Sequence, residues 1–589
     1  MAAAVPAGVT GLACRLPPTA GPRYHATMEC TSCDPQIRPD RPHTFFAHAP
    51  DACGCGAPIE ARVVLRDGAV FHLLFCPTCG QSEKQVADDA PSYVAAFVAR
   101  GLPTAGEHVF KQTTSTCPGC LSLLLVDVVV RDGRVYFKKQ CDRCGPSEAL
   151  VSEDAAYYAR AYAFARAGTQ PLLRANKVEH GCPTDCGTCD DHEQHTCLPI
   201  IEVTDHCNLE CPICIVDNQY SSHMAPGDFA KLLDGLVAAE GQCESVAISG
   251  GEPTSHPEIL ELLRLANRPE IGRVVLITNG IRLSRDRAFA QAIKDTGAYI
   301  GLQLDGFDDE VHRAIRGRDL QAEKDAALAI LKELQIPTQL IFVATRGVND
   351  HQIGRAVQLL IAEDHILSLN FQPAAYTGQG GGAFTHDPMD RLTIPGVIQR
   401  VEEQTGGQVR ASDFFPLPCS HPQCVSLTYL LRLGPGDAVP FARFVDFAKY
   451  STLLRSSATL PASSDVEDAL HEVIHDVFAT AEELPRGDEI LKALRRSVDE
   501  MFPSRPVSAR EALQLSERQS KSIFLHHYMD RHDFDLERLR KCCHHYPQLD
   551  GRIMPACGFN MFHRGAAKGA NTARAPFGKG PNLRLTVIP

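Results

Sequence analysis

The sequence predicts an α/β protein whose central part is an open barrel of strands alternating with helices. Three observations support this fold class. Residues 198–380 show short β-branched runs that alternate with amphipathic segments. A cysteine-rich internal repeat precedes this region, and a mostly helical pattern follows it. Because such alternation is typical of parallel strands joined by crossover helices, the centre is expected to form a partial, TIM-like (β/α)6 barrel.

Six strands are expected in the barrel, and a glycine-rich loop should end it. The predicted strands are 199–203, 245–249, 273–278, 299–304, 339–344 and 368–372. Gly378, Gly380, Gly381 and Gly382 mark the loop, since glycine clusters interrupt regular structure.

Charge and hydropathy exclude several classes of protein. The formal net charge of -13 argues against nucleic acid as a partner, because phosphate-binding surfaces need clustered lysine and arginine. The sequence contains no apolar run of about 18 residues, so no transmembrane segment is predicted. Peripheral contact with a membrane remains possible. The first residues lack the basic and apolar regions of a secretory signal, so a cytoplasmic location is expected.

The 24 cysteines are therefore expected to bind metals. In a reducing compartment disulfides are rare, and closely spaced cysteines usually hold a metal ion. A secreted disulfide-rich protein is the alternative, which the absence of an export signal and the C-x2-C spacing disfavour.

The N-terminal third contains two copies of one motif, offset by 65 residues. The offset superposes Arg66-Asp67-Gly68 on Arg131-Asp132-Gly133, and Cys76 and Cys79 on Cys141 and Cys144. Each copy is predicted to contain a cysteine knuckle, a strand, a tight turn, a second strand, another knuckle and a helix. The sequence thus predicts a duplicated metal ribbon.

The two ribbons differ in how complete their ligands are. The second ribbon offers four ligands, Cys117, Cys120, Cys141 and Cys144, which suit tetrahedral binding of zinc or of a single iron. The identity of the metal, a structural zinc or a redox-active iron, therefore stays open. The first is interpreted as degraded because its knuckle, Cys53-Gly54-Cys55, is one residue short. The metal status of its thiols and of the upstream pair stays open: Cys30, Cys33, Cys53, Cys55, Cys76 and Cys79.

A third cysteine group lies directly before the barrel. Cys182, Cys186, Cys189 and Cys197 fall within sixteen residues, a spacing that suits an auxiliary iron-sulfur cluster. A further zinc site is the alternative. His192 and His195, which lie inside this group, are interpreted as hydrogen-bonding residues.

The candidate catalytic loop follows the first barrel strand. Cys207, Cys211 and Cys214 form a C-x3-C-x2-C motif at the barrel mouth, where barrel enzymes place reactive groups. Three thiolates on a four-iron cubane leave one iron free to chelate a small molecule through amino and carboxylate groups.

This loop resembles the signature of the radical S-adenosylmethionine (radical SAM) superfamily, and three later segments support the resemblance. They are Ser249-Gly250-Gly251-Glu252-Pro253, Thr278-Asn279-Gly280 and Gln303-Leu304-Asp305-Gly306, the last followed by His312 and Arg316. The resemblance implies a [4Fe-4S] cluster and S-adenosylmethionine (SAM) as cofactors. It also implies a set of SAM-binding residues: Gly250, Gly251, Glu252, Asn279, Gln303 and Asp305.

A closer resemblance, from about residue 113 to 557, is to the tetraether lipid synthase family, some members of which are named 7,8-dihydro-6-hydroxymethylpterin methyltransferases. It rests on residues 181–197 and on Pro416-Leu417-Pro418-Cys419-Ser420-His421-Pro422-Gln423-Cys424. The resemblance implies one or two auxiliary [4Fe-4S] clusters and a rubredoxin-like ribbon. A further cluster could use Cys419, Cys424, Cys543 and Cys557, with Cys542 as the alternative to Cys543. The extra N-terminal ribbon departs from the family pattern.

The resemblance implies that SAM is reductively cleaved to a 5′-deoxyadenosyl radical, which activates an unreactive C–H bond. Coupling or modification of lipid alkyl chains is the expected reaction, with a ferredoxin or flavodoxin as electron donor. Helices at 473–481 and 490–502 should then line an apolar tunnel, although ordinary core helices fit the pattern too. The alternatives are a methyltransferase acting on a pterin-like small molecule and a non-catalytic iron-sulfur electron carrier.

The predicted division of the chain has seven parts. They are a partly disordered segment 1–50, a degraded ribbon 51–112, a rubredoxin-like ribbon 113–175, an auxiliary cluster segment 176–197, the radical SAM barrel 198–380, a helical region with an auxiliary cluster 381–560, and a disordered tail 561–589.

Overall fold

The computed structural model describes residues 38–564 except 177, 180, 217–221, 379–383, 385–386, 461 and 506. The predictions for Cys30, Cys33, Gly380, Gly381 and Gly382 lie outside the described residues. The predicted tail also lies outside them from residue 565 onward.

The two sequence copies form two antiparallel sheets of the same design. The first has β1 (Thr44–Ala52), β2 (Pro58–Arg66), β3 (Ala69–Cys76), β4 (Gly80–Ala87) and α1 (Ala90–Arg100). The second has β5 (His108–Thr116), β6 (Leu123–Arg131), β7 (Arg134–Cys141), β8 (Gly145–Ser152) and α2 (Ala155–Ala161). Each sheet follows chain order. The first ribbon therefore includes residues before position 51, because β1 begins at Thr44.

The Arg-Asp-Gly turns explain the hairpins at the centre of each ribbon. Asp67 and Gly68 have φ angles of 51° and 78°, and Asp132 and Gly133 have 51° and 73°. Two successive residues with positive φ form a turn whose twist matches that of the flanking strands. The duplicated motif thus encodes the same tight hairpin twice.

The predicted barrel strands are all present as a parallel sheet in chain order, and the fold class is confirmed. They are β9 (Leu198–Thr204), β10 (Cys243–Gly250), β11 (Ile271–Thr278), β12 (Tyr299–Gln303), β13 (Thr338–Ala344) and β14 (Ile366–Pro373). The helices between them are α3 (Pro226–Glu240), α4 (Ile259–Ala266), α5 (Arg287–Asp295), α6 (Asp309–Arg316), α7 (Gln321–Glu333) and α8 (Ile353–Ala362). The apolar faces of α3, α4, α5, α7 and α8 pack with the sheet in one extensive core. Val311 and Ile315 of α6 pack in a separate cluster with Ile213 of the cysteine loop.

The region after the barrel is less helical than the sequence indicates, because it also extends the central sheet. Its strands are β15 (Phe415–Pro416), β16 (Val425–Gly434), β17 (Asp437–Pro440), β18 (Ser520–His526), β19 (His544–Pro547) and β20 (Ile553–Pro555). β18 pairs in parallel with β14, β16 pairs antiparallel with β18, and β19 pairs with β9 at the opposite edge. The first seven residues of β16 are buried although Ser426 and Thr428 are polar, and Tyr429-Leu430-Leu431 ends the alternation of apolar and polar residues that indicates a strand.

The longer helices described in this region are α9 (Ile394–Gln404), α10 (Ser464–Thr480), α11 (Gly487–Met501), α12 (Ala509–Gln519) and α13 (Leu536–Arg540), and a single turn follows at Ala556–Gly558. Within the described part of the chain, no helix combines the length and apolar character needed to cross a membrane.

Both ribbons pack on α13 through one buried carboxylate. Lys111 of the second ribbon pairs with Glu537, and the amide of His48 in the first ribbon donates to Glu537 Oε1 at 2.5 Å. Burial raises the pKa of Glu537, but the charge of Lys111 and the contact with His421 outweigh it, so the pKa lies well below its usual range. A charged Glu537 therefore helps to hold the ribbons on the barrel body.

Candidate active site and metal centres

The three-cysteine loop lies at the carboxyl end of β9, as the sequence predicts. Cys207, Cys211 and Cys214 are all half-buried. The amide of Cys214 donates to the carbonyl oxygen of Cys211 at 3.1 Å, and the amide of Leu209 donates to Cys207 Sγ at 3.4 Å. Leu209 also packs with buried apolar side chains from neighbouring elements. The loop is thus a compact turn that gathers three thiols at the barrel mouth.

The two glycines at the end of β10 fix where this loop begins. The amide of Gly251 donates to the carbonyl oxygen of Thr204 at 2.8 Å, and that of Glu252 donates to His206 at 2.8 Å. A Cβ atom on Gly250 would lie 2.2 Å from the Thr204 oxygen, and one on Gly251 would lie 2.3 Å from the His206 oxygen. Only glycine permits this approach of two backbones, one of which leads directly into Cys207.

Glu252 connects the ends of β10 and β11. Its carboxylate accepts four hydrogen bonds from the protein, two from Thr254, one from the Thr278 hydroxyl at 2.7 Å and one from the Asn279 amide at 2.8 Å. The Asn279 side chain in turn donates to Asn208 Oδ1, inside the cluster loop, at 2.7 Å. In this structure Glu252 therefore acts as a buried positioning residue.

A buried charge network lies under the same loop. Asp305, with a φ of 64°, accepts from Arg316 Nε at 2.7 Å and from the Val343 amide at 2.9 Å. Burial raises the pKa of Asp305, but Arg316 outweighs it and the pKa lies below its usual value. Burial also lowers the pKa of Arg316, but Asp305 and the nearby Cys211 together raise it by more. The pKa of Arg316 therefore lies above its usual value, and the side chain stays charged.

Lys324 is a member of this network that sequence reasoning missed. Its Nζ donates to the carbonyl oxygens of Asn279 at 2.7 Å and Gln303 at 2.5 Å, which joins the ends of β11 and β12. Burial lowers the pKa of Lys324 to about 8, against the effect of Asp305. The available signal was its position on the apolar face of α7, three residues before buried Ala327.

These residues fit an iron-sulfur cluster with a chelated small molecule. Three half-buried thiols and a nearby buried Arg316 supply ligands and a counter-charge for an anionic cluster, and Gly250 and Gly251 let the end of β10 pack against the backbone that leads into the loop. The loop thiols do not belong to the groups whose sulfurs gather within 4.8 Å in the described chain. His312 Nδ1, on α6 beside the network, is buried and has no hydrogen-bond partner among the described residues.

Three other groups of cysteines do gather within that distance. The first ribbon contributes Cys53, Cys55, Cys76 and Cys79, the second contributes Cys117, Cys120, Cys141 and Cys144, and the third group is Cys197, Cys419 and Cys543. In the second ribbon the sulfurs of Cys120 and Cys141 are 3.7 Å apart. The structure thus brings together the ribbon ligands that the sequence singled out.

The auxiliary thiols are grouped differently from their order in the sequence. Cys197, expected with Cys182, lies instead with Cys419 and Cys543, because its amide donates to the Cys543 carbonyl oxygen at 2.9 Å where β9 meets β19. The Cys419 and Cys543 sulfurs are 3.7 Å apart. The remaining auxiliary thiols are electrostatic neighbours of one another: Cys182, Cys186, Cys189, Cys424, Cys542 and Cys557.

This grouping bears on the choice between Cys542 and Cys543. The thiol of Cys542 lies near Cys557 and Cys424, whereas that of Cys543 lies near Cys197 and Cys419. The two adjacent residues therefore face different groups. The histidines of this segment hydrogen-bond: His192 Nε2 lies 2.8 Å from the Cys542 carbonyl oxygen, and His195 Nδ1 lies 2.8 Å from the Thr169 hydroxyl.

Comparison with known proteins agrees with this geometry. Residues 201–360 match the radical SAM superfamily, and residues 109–153 match the zinc ribbon domain described as the HMPTM N-terminal zinc ribbon. The protein is a radical SAM enzyme. This class implies a [4Fe-4S] cluster and SAM, for which Cys207, Cys211 and Cys214 are the candidate cluster ligands.

Among its relatives is the 7,8-dihydro-6-hydroxymethylpterin dimethyltransferase of Methanocaldococcus jannaschii, 29% identical over 77% of this chain and 94% of that protein. The GTP 3′,8-cyclase of Petrotoga mobilis is 27% identical over 31% of this chain and 58% of the cyclase. Among solved structures, Streptococcus suis SuiB bound to its precursor peptide SuiA has a TM-score of 0.30 and 17% identity, over 37% of this chain and 46% of SuiB.

Proposed function

We propose that this enzyme activates an unreactive C–H bond in the alkyl chain of a lipid and couples or modifies that chain. The observation that carries the proposal is a cavity with a mostly apolar lining at the end of the barrel where the strands begin. A lipid chain needs an apolar path, whereas a pterin needs a compact polar pocket.

The cavity has a volume of about 130 Å³. Most of its lining is aliphatic or aromatic, with Leu470 and Val473 from α10, Met501 from α11, Leu513 from α12 and Phe447 from the preceding loop. The helices that the sequence suggested as a tunnel wall thus line the cavity in part. Their other apolar residues pack against each other as an ordinary core.

The cavity borders the first layer of side chains inside the barrel. Ser368 of β14 and Gln339 of β13 line it near the start of each strand. Because side chains alternate along a strand, Asn370 and Gln372 lie on the same face as Ser368, nearer the cysteine loop. An extended chain lying along the barrel axis would therefore point from the cavity toward the loop.

The residues of the site would supply binding, orientation and exclusion of water. When bound, the cluster would supply the electron that cleaves the sulfonium of SAM, which yields the group that abstracts hydrogen. Gly250, Gly251 and Glu252 fix the loop that carries the cluster, and Asp305 with Arg316 holds the adjoining strand end. The apolar lining would hold the remote part of the alkyl chain, so that the target carbon is kept in place near the loop at the other end of the barrel.

The electron supply belongs to the same proposal. A ferredoxin or flavodoxin would deliver the electron, and one or two auxiliary [4Fe-4S] clusters would be held by the two groups of buried and half-buried thiols described above. Either zinc or a single iron would occupy the second ribbon. The sequence also allowed a non-catalytic iron-sulfur electron carrier. That alternative is disfavoured because the radical SAM class consists of enzymes.

A methyltransferase acting on a pterin-like molecule is the second candidate. It is supported by the name of the Methanocaldococcus jannaschii relative and by one polar feature of the barrel interior. Asn370 Oδ1 is buried without a partner among the described residues, and it lies one layer above the apolar cavity. An amide oxygen there could accept a hydrogen bond from a pterin ring.

Isotope transfer distinguishes the two substrates. Anaerobically reconstituted full-length protein would receive SAM, dithionite and either a lipid with perdeuterated alkyl chains or a deuterated 6-hydroxymethyl-7,8-dihydropterin. The proposal expects deuterium in 5′-deoxyadenosine from the lipid, together with a modified or coupled chain in the mass spectrum. Deuterium transfer from the pterin and none from any lipid would overturn it in favour of the second candidate.

A further inference from the structure

We propose that the first ribbon, which the sequence presents as degraded, binds its own single metal ion through Cys53, Cys55, Cys76 and Cys79. The ion is of the class that prefers four thiolates in a tetrahedron, Zn²⁺ or a single iron. This site is separate from the second ribbon and from the active site, and it does not depend on the proposed lipid substrate.

The sulfur positions match a tetrahedral ion. A metal–sulfur bond of about 2.3 Å places the sulfurs of a regular tetrahedron roughly 3.8 Å apart. The sulfurs of Cys55 and Cys76 are 3.8 Å apart, and all four lie within 4.8 Å of one another. All four are free thiols, and a disulfide would need a separation of about 2.05 Å.

The missing residue in the first knuckle is absorbed by a shorter turn. The amide of Cys53 donates to the Ala57 carbonyl oxygen at 2.9 Å, whereas in the second ribbon the amide of Cys117 donates to Ser122 at 2.9 Å, one residue further along. Gly56 closes the short turn with a φ of 84°. Only the spacing between the first two thiols changes, and both remain within reach of the same ion.

The second knuckle preserves the ligand geometry of its counterpart. The amides of Thr78 and Cys79 donate to the Cys76 sulfur, as those of Arg143 and Cys144 donate to the Cys141 sulfur. Gly80 follows Cys79 with a φ of 78°, and Gly145 follows Cys144 with a φ of 80°. Backbone N–H groups that donate to a sulfur are typical of metal-bound thiolates, because these hydrogen bonds stabilise the negative charge of the sulfur.

Burial of the thiols is similar in the two ribbons. The first and third thiols of each ribbon are buried and the fourth is exposed, whereas the second is exposed in the first ribbon and half-buried in the second. As thiolates, four groups this close would repel one another strongly, and a cation bound between them would offset that repulsion.

Elemental analysis of matched variants tests the site. The full-length chain would be purified as wild type, Cys55→Ser/Cys79→Ser, Cys120→Ser/Cys144→Ser and Cys243→Ala, the last removing a buried cysteine outside these groups. We expect each ribbon variant to lose one equivalent of zinc or iron per chain and Cys243→Ala to lose none. Loss from the second-ribbon variant but none from the first-ribbon variant would overturn the proposal.

A measurement on the wild type remains decisive if the first-ribbon variant does not fold. Cys55 and Cys79 are exposed and would react quickly with iodoacetamide as free thiols. We expect mass spectrometry to find both protected in freshly purified protein and alkylated after a zinc chelator is added. Immediate alkylation of both, in protein that keeps its full metal content, would overturn the proposal.

Discussion

The Glu252 carboxylate accepts a hydrogen bond from the Thr278 hydroxyl at 2.7 Å, which joins the carboxyl ends of two neighbouring barrel strands. The same carboxylate accepts from the amide of Asn279, whose side chain reaches the cluster loop at Asn208. One buried residue thereby links the second and third strands to the loop that carries the three thiols.

Replacing Glu252 by glutamine should destabilise the barrel mouth. The amide nitrogen would face donors at Thr278 or Asn279, which leaves a buried group unsatisfied at a cost of about 1–3 kcal/mol. Equilibrium unfolding and SAM affinity would measure the effect. Glu261→Gln, on the exposed side of α4, is the control and should change neither; equal behaviour of the two variants would contradict the positioning role.

Replacing Gly251 by alanine should displace the start of the cluster loop. The new Cβ would lie 2.3 Å from the His206 oxygen, so the backbone before Cys207 must move. We expect at least a tenfold loss in the rate of 5′-deoxyadenosine formation. Gly235→Ala is the control, since no atom lies within 4 Å of a Cβ at that position in α3. Retention of the wild-type rate by Gly251→Ala would show that the close contact is unimportant.

Replacing Asp305 by asparagine should leave the buried Arg316 cation without its partner. Breaking a buried pair costs about 3–5 kcal/mol, whereas an exposed pair contributes at most about 1 kcal/mol. Denaturant unfolding would compare this variant with Asp319→Asn, which removes the exposed partner of Arg313. Similar losses in the two variants would contradict the role assigned to the buried network.

Glu193 should make the docking of the first ribbon dependent on pH. Burial raises the pKa of Glu193, but its contacts with His43, Arg41 and Arg62 outweigh this and lower it to about 2. The stabilisation, on the order of 3 kcal/mol, is therefore present above the ordinary glutamate pKa and is lost as pH falls toward 2.

We accordingly expect Glu193→Gln to be less stable than the wild type at pH 7 and the difference to shrink between pH 4.5 and 2. Unfolding monitored at both ends of this window measures it. Glu83→Gln, which removes an exposed ion-pair partner of Arg66 in the same ribbon, serves as control. A difference between Glu193→Gln and wild type that does not change with pH would contradict the assignment.

Filling the apolar cavity should separate lipid turnover from SAM cleavage. Ala469 lines the cavity on α10, and Ala479 is exposed on the same helix. Ala469→Trp is expected to reduce lipid-dependent product at least tenfold and to leave lipid-independent 5′-deoxyadenosine release unchanged. Ala479→Trp should affect neither. Undiminished lipid turnover by Ala469→Trp would exclude this cavity as the chain path.

Local sequence patterns predicted much of the fold because each barrel strand carries its own signal. All six expected strands occur, within a few residues of the predicted ends, and the hairpin turns follow from Arg-Asp-Gly. The sequence did not predict β16 and β18. In β16 the alternation of apolar and polar residues ends at Tyr429-Leu430-Leu431, so the strand becomes evident only from its pairing with β18.

The cluster loop was predictable because its three thiols are close in sequence. The auxiliary groups were not, since Cys197 meets Cys543 only through the pairing of β9 with β19, more than 300 residues apart in the chain. The completeness of the first ribbon was hidden for another reason. Spacing indicated a missing residue, whereas a shorter turn at Gly56 restores the four-thiol geometry.

The most direct test of the account concerns Cys207, Cys211 and Cys214 together. Wild-type protein and the variant with all three replaced by alanine would be reconstituted anaerobically, and iron, sulfide and 5′-deoxyadenosine release with SAM and dithionite would be measured. We predict that the variant loses about four irons per chain, as one cubane requires, and releases no nucleoside, while the ribbon metals remain. Unchanged iron content and unchanged nucleoside release would contradict the assignment of this loop as the catalytic cluster site.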